Sequence, residues 1–414
     1  MSNLFNFDVI IAGGGPAGSS AAIHLATRGV RVLLAEQKKF PRAKLCGEFI
    51  SPECLPHFEK LGVAEQINAV RGAALRETVF YARSGNSVSV PSLWFGAGDV
   101  AVGMSRAEMD QRLLRRAGAA GVTVLEETQA VGLMTEDGRV TGVRFKANGD
   151  EVRHEAPITI DATGRGRVLA RRLQTELQSS ARAKRRARMV AFKAHLEGAQ
   201  LAPGACEIYF YRGGYGGLSS IEGGLSNLCF IASARDVRDC RANAETVMRK
   251  VVWQNVRAAH TLGHAVTHSE WLAVSLEGFG RRNLAPADGL LSIGDAASFI
   301  DPFTGSGMLM ALESGELAAE VVTCYLPRLN ARREFANVAQ AYRDLYRERF
   351  GGRLRLCCAM RRAAFVPGLA EAAIRIVGTS DRLRCGLALA TRGGRKERFT
   401  KRNAASESNA PNRG

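Results

Sequence analysis

Phe7-Asp8-Val9-Ile10-Ile11-Ala12-Gly13-Gly14-Gly15-Pro16-Ala17-Gly18 is the stretch whose reading decides the fold. Phe7 to Ala12 is a short β-branched apolar run, the pattern of a strand buried on both faces of a parallel sheet. Ser19 to Arg28 reads as a helix with small residues where it must lie close to that sheet, and Gly29 stands just past its end. Val30 to Glu36 is a second strand, so the N-terminus is a βαβ unit. Gly13-x-Gly15-x-x-Gly18 between strand and helix, with Glu36 following Gly13 by 23 residues, is the context a dinucleotide fingerprint requires. Gly13 permits the turn, Gly15 lets backbone approach a pyrophosphate at the helix N-terminus beside Pro16 and Ala17, and Gly18 lets helix and strand pack closely. Glu36 is placed to accept from an adenosine ribose.

The same grammar returns downstream. Arg106 to Ala119 reads as a helix, Val122 to Leu125 as a strand, and Ala130 to Arg144 as a hairpin turning at Asp137-Gly138. Ile158 to Gly164 and Leu290 to Asp295 read as buried strands ending in turns, and Gly305 to Cys324 as a long helix. Between them, Met189–Leu196, Glu207–Tyr211 and Asn227–Ala232 alternate with a period of two. The fold class is therefore α/β: a Rossmann-type domain interrupted by an antiparallel β-sheet domain, with a C-terminal helical region. Residues 1–75, 100–165 and 280–327 are assigned to the first, 76–99 and 166–279 to the second, 328–392 to basic helices, and 393–414 to a disordered tail.

The 414 residues suit two or three domains at ~100–200 residues each. With 46% hydrophobic and 23% charged residues the chain is not collagen-like, disordered or a disulfide scaffold. No apolar run approaches the ~18 residues of a membrane span, and Met1 to Asp8 lacks a signal-peptide layout. Nine cysteines without a C-x-x-C pair favour reduced thiols in a cytoplasmic protein. The net charge of +17 is concentrated: residues 328–402 hold 19 Lys and Arg against 6 acids, and residues 165–188 hold 9 against Glu176. Such surfaces suit anionic partners. No nucleic-acid recognition signature accompanies them, so the helices of 328–392 are read as a lid, an anionic-membrane contact at the inner face of the membrane, or a solvated face.

Three further stretches carry a resemblance: Pro41-Arg42-Ala43-Lys44-Leu45-Cys46-Gly47-Glu48-Phe49-Ile50-Ser51-Pro52, Asp161-Ala162-Thr163-Gly164-Arg165-Gly166-Arg167, and the run from Gly294-Asp295 through Pro302-Phe303-Thr304-Gly305-Ser306-Gly307-Met308. Together with the N-terminal fingerprint they resemble the glutathione-reductase-type FAD fold of the geranylgeranyl reductase family, related to aromatic hydroxylases and flavin-dependent halogenases. The resemblance runs over roughly residues 5–325. It implies an FAD cofactor contacted by Arg42, Arg106, Val131, Asp161, Gly164, Gly294 and Asp295. The turn Pro302, Gly305, Ser306, Gly307 and Met308 would face the flavin, where a helix start favours negative charge on the reduced ring. Lys44, Cys46 and Gly47 would lie beside the isoalloxazine, with Lys44 and Cys46 the candidate catalytic residues. A cysteine there either tunes the flavin, touches substrate, or is simply a small buried thiol.

No second nucleotide fingerprint is present, so NAD(P)H or a reduced protein partner would act as a transient electron donor. The resemblance favours hydride transfer to a double bond, or its reverse, on a hydrophobic prenyl- or polyketide-like substrate. The alternative is a monooxygenase acting through a flavin hydroperoxide. A halogenase is disfavoured because none of Trp94, Trp253 or Trp271 sits in a W-x-W-x-x-P motif. A non-catalytic flavin-binding protein is the minority alternative. His260, His264 and His268 could share a helix face, but Gly263 interrupts that helix, and no metal is expected.

Overall fold

The computed structural model describes residues 6–95, 99–177, 188–276, 279–300, 305–329, 332–364 and 368–392. Its nucleotide-type layer is a five-stranded all-parallel sheet in the order Leu290–Ser292, Ile158–Asp161, Val9–Ala12, Val32–Ala35, Thr123–Leu125. All four residues of Val9–Ala12 and of Val32–Ala35 are buried, as the continuous apolar runs require. The first helix begins at Pro16 and runs to Ala26, three residues earlier than the sequence suggests. Proline at the first helical position costs nothing, since its missing N–H would have no intrahelical partner. The glycine turn is correspondingly shorter, and the helix N-terminus stands at Gly15.

That helix is clamped by Gly307–Tyr325, which crosses it at a small-residue contact. A side chain at Gly315 would meet the Ala17 carbonyl oxygen at 2.6 Å, and Ser20 Oγ donates to the Leu312 carbonyl at 2.9 Å. His24, buried in the same interface, faces the Glu316, His57 and Lys60 cluster, where Glu316 Oε2 lies 3.3 Å from His57 Nδ1. Burial pushes the His24 imidazole down from 6.5 to about 4. The unfolded chain therefore binds a proton that the folded one refuses, so stability held above pH 6.5 drains away as pH falls toward about 4. His24→Leu is expected to flatten that limb in denaturant midpoints measured across the interval; an unchanged slope would rule His24 out as its source.

The second layer is an eight-stranded sheet. Its main path runs Val266–Thr267, Met189–Glu197, Ser226–Ser233, Gly214–Ser220, Ala205–Tyr211, Glu77–Tyr81, Ser87–Pro91, with Leu272–Leu276 also pairing with Met189–Glu197. Glu77–Tyr81 and Ser87–Pro91 thus join residues more than a hundred positions downstream. Gly213-Gly214 joins two strands rather than opening a helix, as its hairpin reading expects.

The hairpin turning at Asp137-Gly138, both with positive φ, connects Thr128–Glu136 to Arg139–Ala147. A third strand, Asp150–Glu155, adds to it. That strand escapes sequence reading because it is an edge whose residues are mostly exposed, so it shows no apolar alternation. The basic C-terminal region forms three helices, Arg332–Ala364, Leu369–Gly378 and Asp381–Arg392. The tail 393–414 lies outside the described residues.

Candidate functional site

A continuous cavity of about 620 Å³ runs between the two sheets and beneath the last two helices. Gly13, Gly15, Pro16, Ala17 and Glu36 line one end, with Gln129 and Ala130 beside them. Gly13 has φ +110°, and a Cβ there would come within 2.4 Å of the Ala162 carbonyl oxygen. Gly18 does not face the cavity; a Cβ on it would strike the Gly13 carbonyl oxygen at 1.9 Å. Gly15 differs from both, with only the Arg42 and Arg106 guanidinium tips near its Cβ position, at 3.7 and 3.9 Å. Glu36 is already engaged: Oε2 accepts from Gly14 N at 2.9 Å and Oε1 from Lys38 N at 3.1 Å.

Cations gather next to this end. Arg106 opens the Arg106–Ala119 helix, whose N-cap Ser105 accepts from Glu108 N. Its Nε and Nη2 donate to both oxygens of Asp110 at 2.8 and 2.7 Å, and Arg42 Nη1 donates to the same carboxylate at 3.0 Å. Burial opposes the Arg106 charge, but Asp110 and the Cys46 thiol outweigh it and raise the guanidinium pKa above its ordinary value. Burial and the neighbouring Arg42, Arg106 and Arg165 lower the pKa of Lys44. Asp295 faces the cavity interior, where burial raises its pKa while Arg165, Lys44 and Arg106 pull it back down. Cα-close glycines, a helix N-terminus and four converging cations make a cradle that fits the pyrophosphate of a dinucleotide.

Cys46, Gly47, Gly164, Gly294, Gly305, Gly307 and Met308 line the middle of the cavity. The Cys46-Gly47 backbone is bolted to the second sheet: Asn227 Nδ2 donates to the Cys46 carbonyl at 3.1 Å and Ser219 Oγ to the Gly47 carbonyl at 3.5 Å. Beyond it the walls turn apolar. Phe80 and Phe210 stack at 6.4 Å, Tyr215 and Ile208 continue the floor, and Ile374, Val377 and Leu387 from the C-terminal helices form the roof.

Three expected contacts stand elsewhere. Asp161 is fully buried outside the lining, its Oδ1 accepting from Thr163 N and Oγ1 and its Oδ2 from Ala170 N; it braces the turn before the Val168–Leu177 helix. Val131 is not in the lining, which Thr128, Gln129 and Ala130 supply at this end of the strand. Ser306 is fully buried at the helix start, behind Gly305 and Gly307. Pro302 lies outside the described residues. Among the described residues no three His, Cys, Asp or Glu groups converge as metal ligands, and His268 Nδ1 instead pairs with Glu197 Oε1 at 2.6 Å.

Sequence reasoning passes over Lys193, His195 and Cys229. Lys193 is buried and Cys229 lines the cavity. Single polar residues in an alternating strand look like solvent-facing positions, and nothing local says which face a second domain will cover.

The FAD binding domain model matches residues 6–318. A menaquinone reductase of Mycolicibacterium smegmatis is 28% identical over 343 residues, 76% of each chain. A digeranylgeranylglycerophospholipid reductase of Methanosarcina mazei is 26% identical over 321 residues, 76% of this chain and 74% of its own. The fold is similar to that of a geranylgeranyl bacteriochlorophyll reductase-like protein from Thermoplasma acidophilum, with TM-score 0.75 and 21% identity over 92% of this chain and 95% of that one. It is also similar to that of the flavin-dependent brominase Bmp2, with TM-score 0.74 and 21% identity over 97% and 98%. The matched span covers most of the chain and its relatives are named as reductases, so the chain belongs to the FAD binding domain family and is an FAD-dependent oxidoreductase.

Proposed function

We propose that the protein reduces a carbon–carbon double bond in a long apolar substrate of the prenyl type. The observation that carries this is the continuity of the cavity, from the cradle at Gly15 past Cys46-Gly47 into the aromatic and aliphatic chamber under Ile374 and Leu387. A chamber of that composition holds an apolar chain with few directional contacts. Bound FAD would supply two-electron hydride chemistry at the junction. Gly13 and Gly15 admit the pyrophosphate, and Arg42, Arg106 and Lys44 neutralise it. The start of the Gly307–Tyr325 helix, which lines the cavity, would offer its positive end to negative charge on a reduced ring. Cys46 and Lys44 border the reacting region, and the C-terminal helices exclude water from it. The electron donor is NAD(P)H or a reduced protein, docking transiently.

Anaerobic reduction of the FAD-loaded protein with NADPH or dithionite, then mixing with either lipid or oxygen, tests the reading. Reoxidation by a digeranylgeranyl phospholipid or by menaquinone, with slow featureless reoxidation in oxygen, is expected. A rapidly formed, absorbing oxygen intermediate would transfer the protein to the monooxygenases.

The same helices offer a membrane contact around the cavity roof. Leu369, Ile376, Leu383 and Leu389 are exposed there, interleaved with Arg375 and Arg382. Apolar anchors beside arginines suit an anionic bilayer surface, and no helix among the described residues is long and apolar enough to cross a membrane. Ile376→Asp with Leu383→Asp is expected to lower co-sedimentation with phosphatidylglycerol vesicles at low salt by about 10-fold or more while FAD content stays at the parent level. Equal sedimentation would remove the membrane contact.

A further inference from the structure

Behind Cys46 and Gly47 lies a charged network that packing alone does not require. Glu48 is fully buried and held at φ +53°, a conformation disfavoured for a side-chain-bearing residue. Its Oε1 accepts from Arg106 N at 2.9 Å and from the Lys193 ammonium, while its Oε2 lies 2.7 Å from His195 Nε2. The carboxylate therefore bridges Lys193 and His195 through different oxygens. Lys193 and His195 share one face of Met189–Glu197, the face that also carries the cavity-lining Ala191. Lys193 stands directly opposite Cys229, which lines the cavity. Facing residues of an antiparallel pair hold their Cβ atoms ~4.5–5.5 Å apart. At the other end the His195 side chain keeps 18% of its exposure. Apolar residues of equal volume would hold such a site at least as well as a buried ion pair does.

We propose that His195, Glu48, Lys193 and Cys229 form a proton relay from solvent to the cavity, delivering the proton consumed when the double bond is reduced. The proposal rests on the reductase reading above. Reduction adds a hydride with its electron pair to one carbon, drawn from FAD reduced by the external two-electron donor, and a proton to the other. That proton leaves the Cys229 thiol as its S–H bond breaks and the second C–H bond forms. The Lys193 ammonium reprotonates the thiolate. Glu48 Oε2 takes a proton from the His195 imidazolium, the protonated carboxyl turns about its Cγ–Cδ bond to hand that same proton to the neutral Lys193 amine, and water restores His195.

The test uses FAD-loaded, dithionite-reduced protein mixed anaerobically with a digeranylgeranyl phospholipid in detergent micelles. Flavin reoxidation is followed by absorbance and chain saturation by mass spectrometry. His195→Ala is expected to slow reoxidation by about 10²-fold, the lower range for general acid–base catalysis, and free imidazole is expected to restore it. A second readout needs no turnover. In the oxidised, FAD-loaded protein without substrate, Lys193→Met should move iodoacetamide alkylation of the Cys229 peptide to higher pH, because the cation that favours the thiolate is gone. A parent that saturates no lipid chain overturns the reductase reading and the relay's role with it. A competent parent overturns the relay alone if His195→Ala keeps its rate, if imidazole fails to rescue it, or if Cys229 alkylation is indifferent to Lys193.

Discussion

Gly18→Ala is expected to yield little folded protein, whereas Gly15→Val is expected to yield folded protein that no longer retains FAD. The two glycines sit three residues apart in one motif, yet their surroundings are opposite. A Cβ on Gly18 would lie 1.9 Å from the Gly13 carbonyl oxygen, and backbone on both sides leaves nothing flexible to yield. Relief requires the Pro16–Ala26 helix to move off the Val9–Ala12 strand, which costs more than the ~1–3 kcal/mol of ordinary core overpacking. At Gly15 a Cβ meets only guanidinium tips at 3.7 Å or beyond, so the side chain is accommodated but occupies the approach to the cations. FAD affinity should fall at least about 100-fold, close to 2.8 kcal/mol. The flavin-to-protein absorbance ratio together with circular dichroism separates the outcomes. Native FAD content in Gly15→Val would displace the cofactor from this cradle.

Asp110→Leu is expected to cost about 3–5 kcal/mol of stability and most of the bound FAD. Asp110 is fully buried and accepts three hydrogen bonds from two arginines. Leucine leaves Arg106, itself 9% exposed, as a buried cation without its carboxylate. It also frees Arg42 to swing toward Glu36, whose Oε1 already lies 3.7 Å from Arg42 Nε. Denaturant midpoints and flavin retention measure the two effects. Asp110→Asn keeps the shape and part of the hydrogen bonding, so it should fall between Leu and the parent. A midpoint unchanged in Asp110→Leu would mean that the Arg42–Asp110–Arg106 network contributes nothing net.

The parallel strands were legible because burial on both faces writes a continuous apolar run, as in Val9-Ile10-Ile11-Ala12. The Arg106–Ala119 helix was legible to the residue, since Ser105 caps it. Asp161 misleads for the converse reason. An acid at a strand end looks like a ligand to a passing cofactor, and only the neighbouring Thr163 and Ala170 N–H groups reveal that its valences are spent. The C-terminal helices read as a basic face of several uses, and their burial of Ile374 and Ala388 against the cavity depends on strands almost three hundred residues earlier.

By itself the sequence determined the βαβ grammar, the glycine cradle and the class of cofactor, because each is encoded by residues adjacent in the chain whose steric demands are local. The tertiary structure alone decided which charges meet. Glu48 and Lys193 are 145 positions apart, and Glu48 and His195 147. Each looks solvated in its own segment, and only packing of the Cys46–Glu48 loop against the Met189–Glu197 strand withdraws water and obliges them to bond to one another.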